Sequence, residues 1–441
     1  MFFLSLLSFS FATSFYNQGV EALQSKNYSL AIKHFSECVL KEQDKKILQD
    51  CLWELGWAHW MQSDWEQVVQ SWQTLQKSDS KREGLEEYLS QAQDNYNLEK
   101  LIAQSRSNTP KTYSTNINAS IRIRAVGDMM IGTDFPSGYL PPNNGANIFD
   151  GVKKELIDAD ITFGNLEGPL CDSGKTTKCK PGAPAGSCYA FRTPSSYGTY
   201  YKDAGFDVVS TANNHSGDFG QTCRIETEKH LDLLGIKHSG RPGDIASLEA
   251  NGLKIAIIGF HTNQACHYVN DHDTAKKLVA ALSNNHDIVI VSFHGGAEGS
   301  KALHVPNGPE TFYGENRGDL RKFARIVIDA GADAVIGHGP HVLRGMEIYK
   351  NRLIAYSLGN FATYGRFSLS GQKAKGVILE LSMNSKGEFQ GGKLIATKQI
   401  DKGIPVIDEE NAAIDTIRLL SQEDFGSTSI LVAQDGSIAA P

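Results

Sequence analysis

The stretch DIVIVSFHG, residues 287–295, decides how most of the chain is read. Ile288 to Val291 are four branched apolar residues in a row. The run is too short for a buried helix and lacks the alternation of a strand wetted on one face, so it reads as a strand covered on both sides. Working outward, the same form recurs in IRIRAVG (121–127), ADITFGN (159–165), FDVVSTA (206–212), LKIAIIGF (253–260), ADAVIGHG (332–339) and RLIAYSLGN (352–360). Helical stretches alternate with these runs, such as the one from Asp319 to Ala330. Short buried strands alternating with helices predict an α/β domain whose sheet is covered on both faces.

In such sheets ligands gather beyond the carboxyl ends of the strands. Five ends carry polar residues here: Asp128 after Val126-Gly127, Glu167 after Asn165-Leu166, Asn213-Asn214-His215 after Thr211, His294 with Glu298 nearby, and His338 with His341. A lone histidine in a loop is ordinarily structural; coincidence at five strand ends points instead to a shared metal site. Carboxylates, imidazoles and an amide oxygen without thiolate suit a divalent ion such as Mn, Fe, Zn or Mg. One ion or two would fit. A pair sits about 3.5 to 4 Å apart in sites of this kind, where Glu167 would bridge.

The blocks VGDMMIG (126–132), NLEGPL (165–170), ANNHSGDFG (212–220), HGGAEG (294–299) and GHGPHVLRGMEIYKNRLIAYSLGNF (337–361) resemble the capsule-biosynthesis CapA family, also called poly-γ-glutamate synthesis proteins. The resemblance runs over about residues 121 to 385. That family is similar in fold to the calcineurin-like metallophosphoesterases, which implies a layered β-sandwich of two sheets flanked by helices. Position by position, the resemblance makes Asp128 the first metal-binding carboxylate, Glu167 the bridging one and Asn214 the metal-binding amide. It makes His294, His338 and His341 the metal imidazoles, and His215, with Asn214, the catalytic residue that protonates a leaving group or steadies the transition state. Two positions depart from the pattern. Met130 replaces the histidine of the phosphoesterase D-x-H signature, and Gly339 makes the late pair H-G-P-H where many relatives have H-P-H.

Glu298, Arg344 and Asn360 are expected to bind substrate, with Glu298 alternatively pairing with a cation such as Arg344. Asn360 and Ser357 also sit where hydrogen bonds to the metal-bearing loops are expected, and Asp218 and Gly220 are expected to shape the turn after His215. The function implied is a metal-dependent hydrolase or transferase acting on an anionic surface polymer, of poly-γ-glutamate type, or on a small phosphorylated or γ-glutamyl substrate. Alternatives are a cell-surface metallophosphoesterase and a non-catalytic scaffold that only binds polymer.

At 441 residues, two or three domains are expected. Upstream of the α/β domain, residues 14–105 have almost no Gly or Pro and are helical in pattern. Gly19, Tyr28, Ala31 and Phe35 recur as Gly56, Trp65, Val68 and Trp72, an offset of 37 residues. A small residue lets paired helices approach and an aromatic fills the gap between them, so these resemble two tetratricopeptide repeats, with a capping helix after Ser80. The usual period of 34 implies a turn three residues longer, and such a repeat domain would recruit a protein partner. The remaining alternative is an unrelated pair of helical hairpins. Residues 106–120 read as a linker, 121–400 as the α/β domain and 401–441 as a C-terminal extension.

Residues 1–12, MFFLSLLSFSFA, read as a secretory signal peptide, the alternative being an apolar N-terminal helix. The chain is therefore expected outside the cytoplasm: secreted, periplasmic or on the cell surface. Of the seven cysteines, Cys171, Cys179 and Cys188 lie in a loop of Gly, Pro, Lys and Ser that favours disulfides. Zinc is the alternative, but C-x7-C-x8-C lacks the close pairs of zinc knuckles. Cys38 and Cys51 fall on neighbouring helices and suit a bridge. A net charge of -7 offers no basic stripe for nucleic acid, and no later run is long enough to span a membrane.

Overall fold

A computed structural model describes residues 15–104, 118–179 and 188–441, which form two compact units divided near Lys100. The expected signal peptide, residues 1–12, and most of the expected linker, 106–120, lie outside the described residues. The first unit is all helical. Residues 15–24 are followed by helices Tyr28–Lys41, Lys45–Trp60, Trp65–Ser78 and Leu85–Gln104.

The repeated small and aromatic residues meet as their physics requires. A Cβ on Gly19 would come within 2.6 Å of the Phe35 ring, and one on Gly56 within 2.0 Å of Trp72 Nε1, so only glycine lets each pair of helices close on its aromatic. The Trp72 indole donates to the Trp53 carbonyl at 3.2 Å. Leu85, Leu89 and Ala92 of the last helix share the Trp72 cluster, the place expected for a cap. The long turn is not found. The connections are only residues 42–44 and 61–64, and the period is filled by the 16-residue helix Lys45–Trp60. Cys38 and Cys51 are bridged as expected.

The second unit is the α/β sandwich read from its strands. In the larger sheet Ser120–Met130 lies parallel to Ile161–Leu166 and to Asn360–Thr363, and antiparallel to Lys375–Asn384. In the smaller sheet Leu253–His261, Ile288–His294, Ala334–His338 and Arg352–Ala355 run parallel in that order. Ile121, Ile123, Ala125 and Phe163 of the larger sheet share one core with Ile255, Ile257, Ile288, Ile290 and Ile336 of the smaller, so the two sheets pack face to face. On the outer face of the larger sheet Met129 and Val209 pack with Leu156, Tyr201 and Leu231 of the flanking helices. Outside the smaller sheet, the Phe323 ring of helix Leu320–Asp329 meets those of Phe260 and Phe293.

The expected boundary at residue 400 is corrected. Ile404–Ile407 pairs with Phe389–Ile400, and Ser437–Ala439 joins the same sheet. Ala413, Ile414 and Ile417 of helix Ala412–Phe425 belong to the core between the sheets. Residues 401–441 are therefore part of the domain and not an extension. Among the described residues, no helix is long and apolar enough to cross a membrane.

Candidate metal centre

Backbone packing sets the first ligand in place. A Cβ on Gly127 would lie 1.8 Å from the Gly359 carbonyl oxygen, so glycine here lets the Asn360–Thr363 strand run against Ser120–Met130. The Asp128 amide donates to that carbonyl at 3.0 Å. Asp128 is fully buried; its Oδ1 accepts from Asn165 Nδ2 at 2.8 Å and lies 3.6 Å from His338 Nδ1, and its Oδ2 is 2.9 Å from His341 Nδ1. Glu167, also fully buried, lies 3.5 Å from His341 Nε2 and 3.9 Å from His294 Nε2. One ligand atom from each of Asp128, Glu167 and His294 falls within 4.8 Å of the others.

The histidines come from adjacent strands in register. His338 pairs with His294 across one ladder, and His294 pairs with His261 across the next. His341 follows at a positive φ of 57°, and Gly339 explains the departure from H-P-H. At a φ of 110° it packs on Gly295, where any Cβ would sit 2.6 Å from backbone, and so returns His341 to Asp128.

Five buried polar atoms of these residues have no hydrogen-bond partner among the described residues: both carboxylate oxygens of Glu167, His294 Nε2 and both ring nitrogens of His338; Asn214 Oδ1, expected as a ligand, also has none. Buried polar groups are ordinarily satisfied, so a cluster of orphans on ligand-type side chains needs an occupant. The electrostatics agree. Burial, with the Asp128 charge, pushes the Glu167 carboxyl well above its usual range. Burial holds His338 down to about 4 against the pull of Asp128. It also holds His294 well below the usual imidazole range, aided by neighbouring imidazoles and Arg317. Burial opposes charge on His341 too, but the Glu167, Asp128 and Glu298 carboxylates raise it to about 10. His294 and His338 are held in the neutral form that binds a metal, whereas the carboxylates draw positive charge onto His341, charge that a divalent cation would supply in its place, and the residues fit such an ion.

His215 stands beside this cluster. Its Nδ1 lies 2.7 Å from Asp218 Oδ2, and its ring stacks on Phe191 at 4.2 Å. Asp218 also accepts the Phe191 amide at 2.8 Å, so its role goes beyond shaping a turn. Burial lowers the His215 pKa below the usual value, partly offset by Asp218. Asn213 ties this loop to the Glu167 strand, donating to Asn165 Oδ1 at 3.2 Å and to the Leu166 carbonyl at 2.8 Å.

The residues expected to bind substrate fare differently. Arg344 is fully buried, with a fork of hydrogen bonds to Glu310 at 2.8 and 2.7 Å and others to the Ala302 and Ala297 carbonyls, so it braces a loop and faces no substrate. Glu298 lies 3.9 Å from His341 Nε2, and its partner is Arg317 at 3.0 Å instead of Arg344. Asn360 Oδ1 lies 3.1 Å from His341 Nδ1 and its amide reaches the Lys373 carbonyl, which makes it an orienter of His341. Ser357 donates to the Val342 carbonyl at 2.7 Å.

Three site residues escaped sequence reasoning. Asn165 joins Asp128 to His294, with its Nδ2 3.2 Å from His294 Nδ1. His261 sits buried at the end of its strand, and because its Nδ1 accepts the Asn263 amide at 3.1 Å, its Nε2 carries the hydrogen. Lys178 reaches from the cysteine loop to the Asn214 carbonyl at 3.0 Å and Asp218 Oδ1 at 3.1 Å. That loop is pinned by Cys171–Cys223 and Cys179–Cys188, which settles the cysteine pairing; the seventh cysteine, Cys266, is buried and takes a hydrogen bond from Arg224.

Comparison with known proteins gives the following. The family described as "Bacterial capsule synthesis protein PGA_cap" matches residues 122–364. The PGA biosynthesis protein CapA of Bacillus subtilis (strain 168) is 28% identical over 304 residues, covering 65% of this chain and 74% of that protein. The capsule biosynthesis protein CapA of Bacillus anthracis is 29% identical over 259 residues, covering 55% of this chain and 60% of that one. Among solved structures, purple acid phosphatase PPD1 from yellow lupin (Lupinus luteus) seeds aligns with 67% of this chain and 55% of its own at 12% identity. Its TM-score of 0.34 is too low to bear on fold or chemistry.

Proposed function

The chain belongs to the bacterial capsule synthesis family PGA_cap, and from that premise we propose that it is a metal-dependent hydrolase or transferase acting on an anionic capsule polymer of poly-γ-glutamate type outside the cytoplasm. The observation that carries the reading is the set of orphaned buried ligand atoms on Glu167, His294 and His338 beside Asp128. Asp128, Glu167, Asn214, His294, His338 and His341 would hold one or two ions of Mn, Fe, Zn or Mg. Bound there, such an ion would supply Lewis acidity toward an acyl or phosphoryl oxygen and lower the pKa of water.

The chain's own groups do the rest. Asp218 takes the Nδ1 hydrogen of His215 and so leaves Nε2 for the proton exchanged with a leaving group. Phe191 covers one face of that ring, which keeps water from it and holds its plane. Asn360 and Asn165 orient His341 and His294. The disulfide bridges support a place outside the cytoplasm. The helical unit, read as tetratricopeptide-like, would present a surface to a partner in polymer synthesis.

The test is elemental analysis of the purified protein, followed by assay of wild type and His215→Ala on γ-glutamyl and phosphodiester substrates. Bound metal, with turnover of the γ-glutamyl substrate reduced about 100-fold or more in the variant, is the expected result. Turnover of the phosphodiester alone would make the chain a phosphoesterase. An intact protein with neither metal nor activity would leave a polymer-binding scaffold.

A further inference from the structure

Arg366 follows the Asn360–Thr363 strand and stands next to Phe367, whose ring lies 5.2 Å from that of His341 and 5.3 Å from that of Phe191. It is therefore one residue from the wall of the metal centre. Its guanidinium lies over the Tyr139 ring at 4.8 Å and over the Tyr189 ring at 5.0 Å. Two aromatic faces fix the plane of a guanidinium and leave the donors on its edge for another group.

Among the described residues no carboxylate pairs with it, and its buried Nε has no hydrogen-bond acceptor. Arg192, Arg317 and Arg344 end instead on Asp134, Glu298 and Glu310. A held arginine whose Nε is unmet calls for an acceptor that the described residues do not supply. The two walls are anchored separately: Tyr139 bridges to Thr133, and Tyr189 follows Cys188 of the Cys179–Cys188 disulfide.

We propose that Arg366, clamped between Tyr139 and Tyr189, recognises substrate by gripping a free carboxylate of a γ-linked glutamyl chain, and so presents the neighbouring bond to the metal centre. A planar two-oxygen anion matches the fork of a guanidinium, whereas an ammonium meets it only as a point charge. The assignment rests on the reading of the site as one that takes an anionic polymer. A phosphate would offer similar oxygens, so both anions enter the test.

The full chain, as wild type and as Arg366→Gln, Arg366→Lys and Tyr189→Ala, is titrated by calorimetry with a γ-linked glutamyl hexamer and, separately, with inorganic tripolyphosphate, and bound metal is measured on each sample. Hexamer affinity is expected to fall about tenfold or more in both Arg366 variants and about threefold in Tyr189→Ala, with metal content unchanged. Tyr189 is exposed, so its variant reports even if the Arg366 variants fold poorly. Hexamer binding unaffected by any substitution, full affinity in Arg366→Lys, no hexamer binding by wild type, or dependence on Arg366 for tripolyphosphate alone would each overturn the proposal. A wild type without metal that still grips the hexamer through Arg366 would sink the catalytic reading and uphold this one.

Discussion

Met130 stands, buried, where the phosphoesterase D-x-H signature expected from the sequence would place a histidine. If that side chain is the missing ligand, Met130→His will raise bound metal per chain from about one toward two. Content unchanged in a folded variant would show that the second position needs more than an imidazole. Away from the centre, His267 makes a pH prediction. Its Nδ1 donates to the Gly259 carbonyl at 2.9 Å and its Nε2 accepts the Gly243 amide at 2.8 Å, so the neutral ring is fully bonded. Burial lowers its pKa from 6.5 to about 4. The unfolded chain takes this proton near 6.5 and the folded one only near 4. The stability that depends on it is therefore whole above pH 6.5 and is lost as pH falls through about 4, roughly 3 kcal/mol in all. His267→Gln should flatten that part of the stability–pH curve from urea melts; an unchanged slope would place the acid sensitivity elsewhere. Individual residues were unevenly legible. Asp128, Glu167 and His294 follow from strand ends, and the same rule applied to the run ending at Phe260 would have reached His261. Lys178 and Arg366 sit in irregular loops, where no periodicity tells which way a side chain turns. Arg344 misled because its block suggests a site, whereas the buried Glu310 that claims it lies in a segment with no strand or helix pattern.

At the scale of elements, the buried strands and their order were readable because each is a short apolar run ending in Gly or a polar cluster, as in Ala334–His338. What escaped was the closing of the larger sheet by residues 404–439. The strands Leu431–Val432 and Ser437–Ala439 are too short to show alternation, and Ile414 and Ile417 enter the core only because the helix folds back. The cysteine loop is the element that most needs a test. Cys171–Cys223 closes 52 residues and ties the loop to the helix that follows His215. On the chain-entropy view, losing it costs about 4 kcal/mol. Cys171→Ser with Cys223→Ser should therefore lower stability in denaturant melts. It should also reduce turnover at temperatures where the variant stays folded, because Lys178 and Phe191 reach His215 from this loop. Full turnover in the folded variant would mean that the loop holds His215 without that bridge.

At the scale of the molecule, the chain is two units with separate cores, one around Phe35 and Trp72 and one between two sheets. Deletion of residues 14–105 should leave the remainder folded and able to take up metal, as measured by circular dichroism and elemental analysis, while removing any partner captured through the helical repeats. An insoluble or metal-free remainder would show that the units depend on each other. If the orphaned ligand atoms beside Asp128 hold a divalent ion, the ion will be visible there. The most direct measurement is anomalous diffraction from crystals of the purified protein, collected across the Mn, Fe and Zn absorption edges, with Glu167→Ala as control. A peak of one of these metals is expected among Asp128, Glu167, His294, His338 and His341, absent or strongly weakened in the variant; with no anomalous peak, a Mg ion is recognised by short octahedral contacts to oxygen. Density filled only by hydrogen-bonded water, with the same residues pairing among themselves, would contradict it.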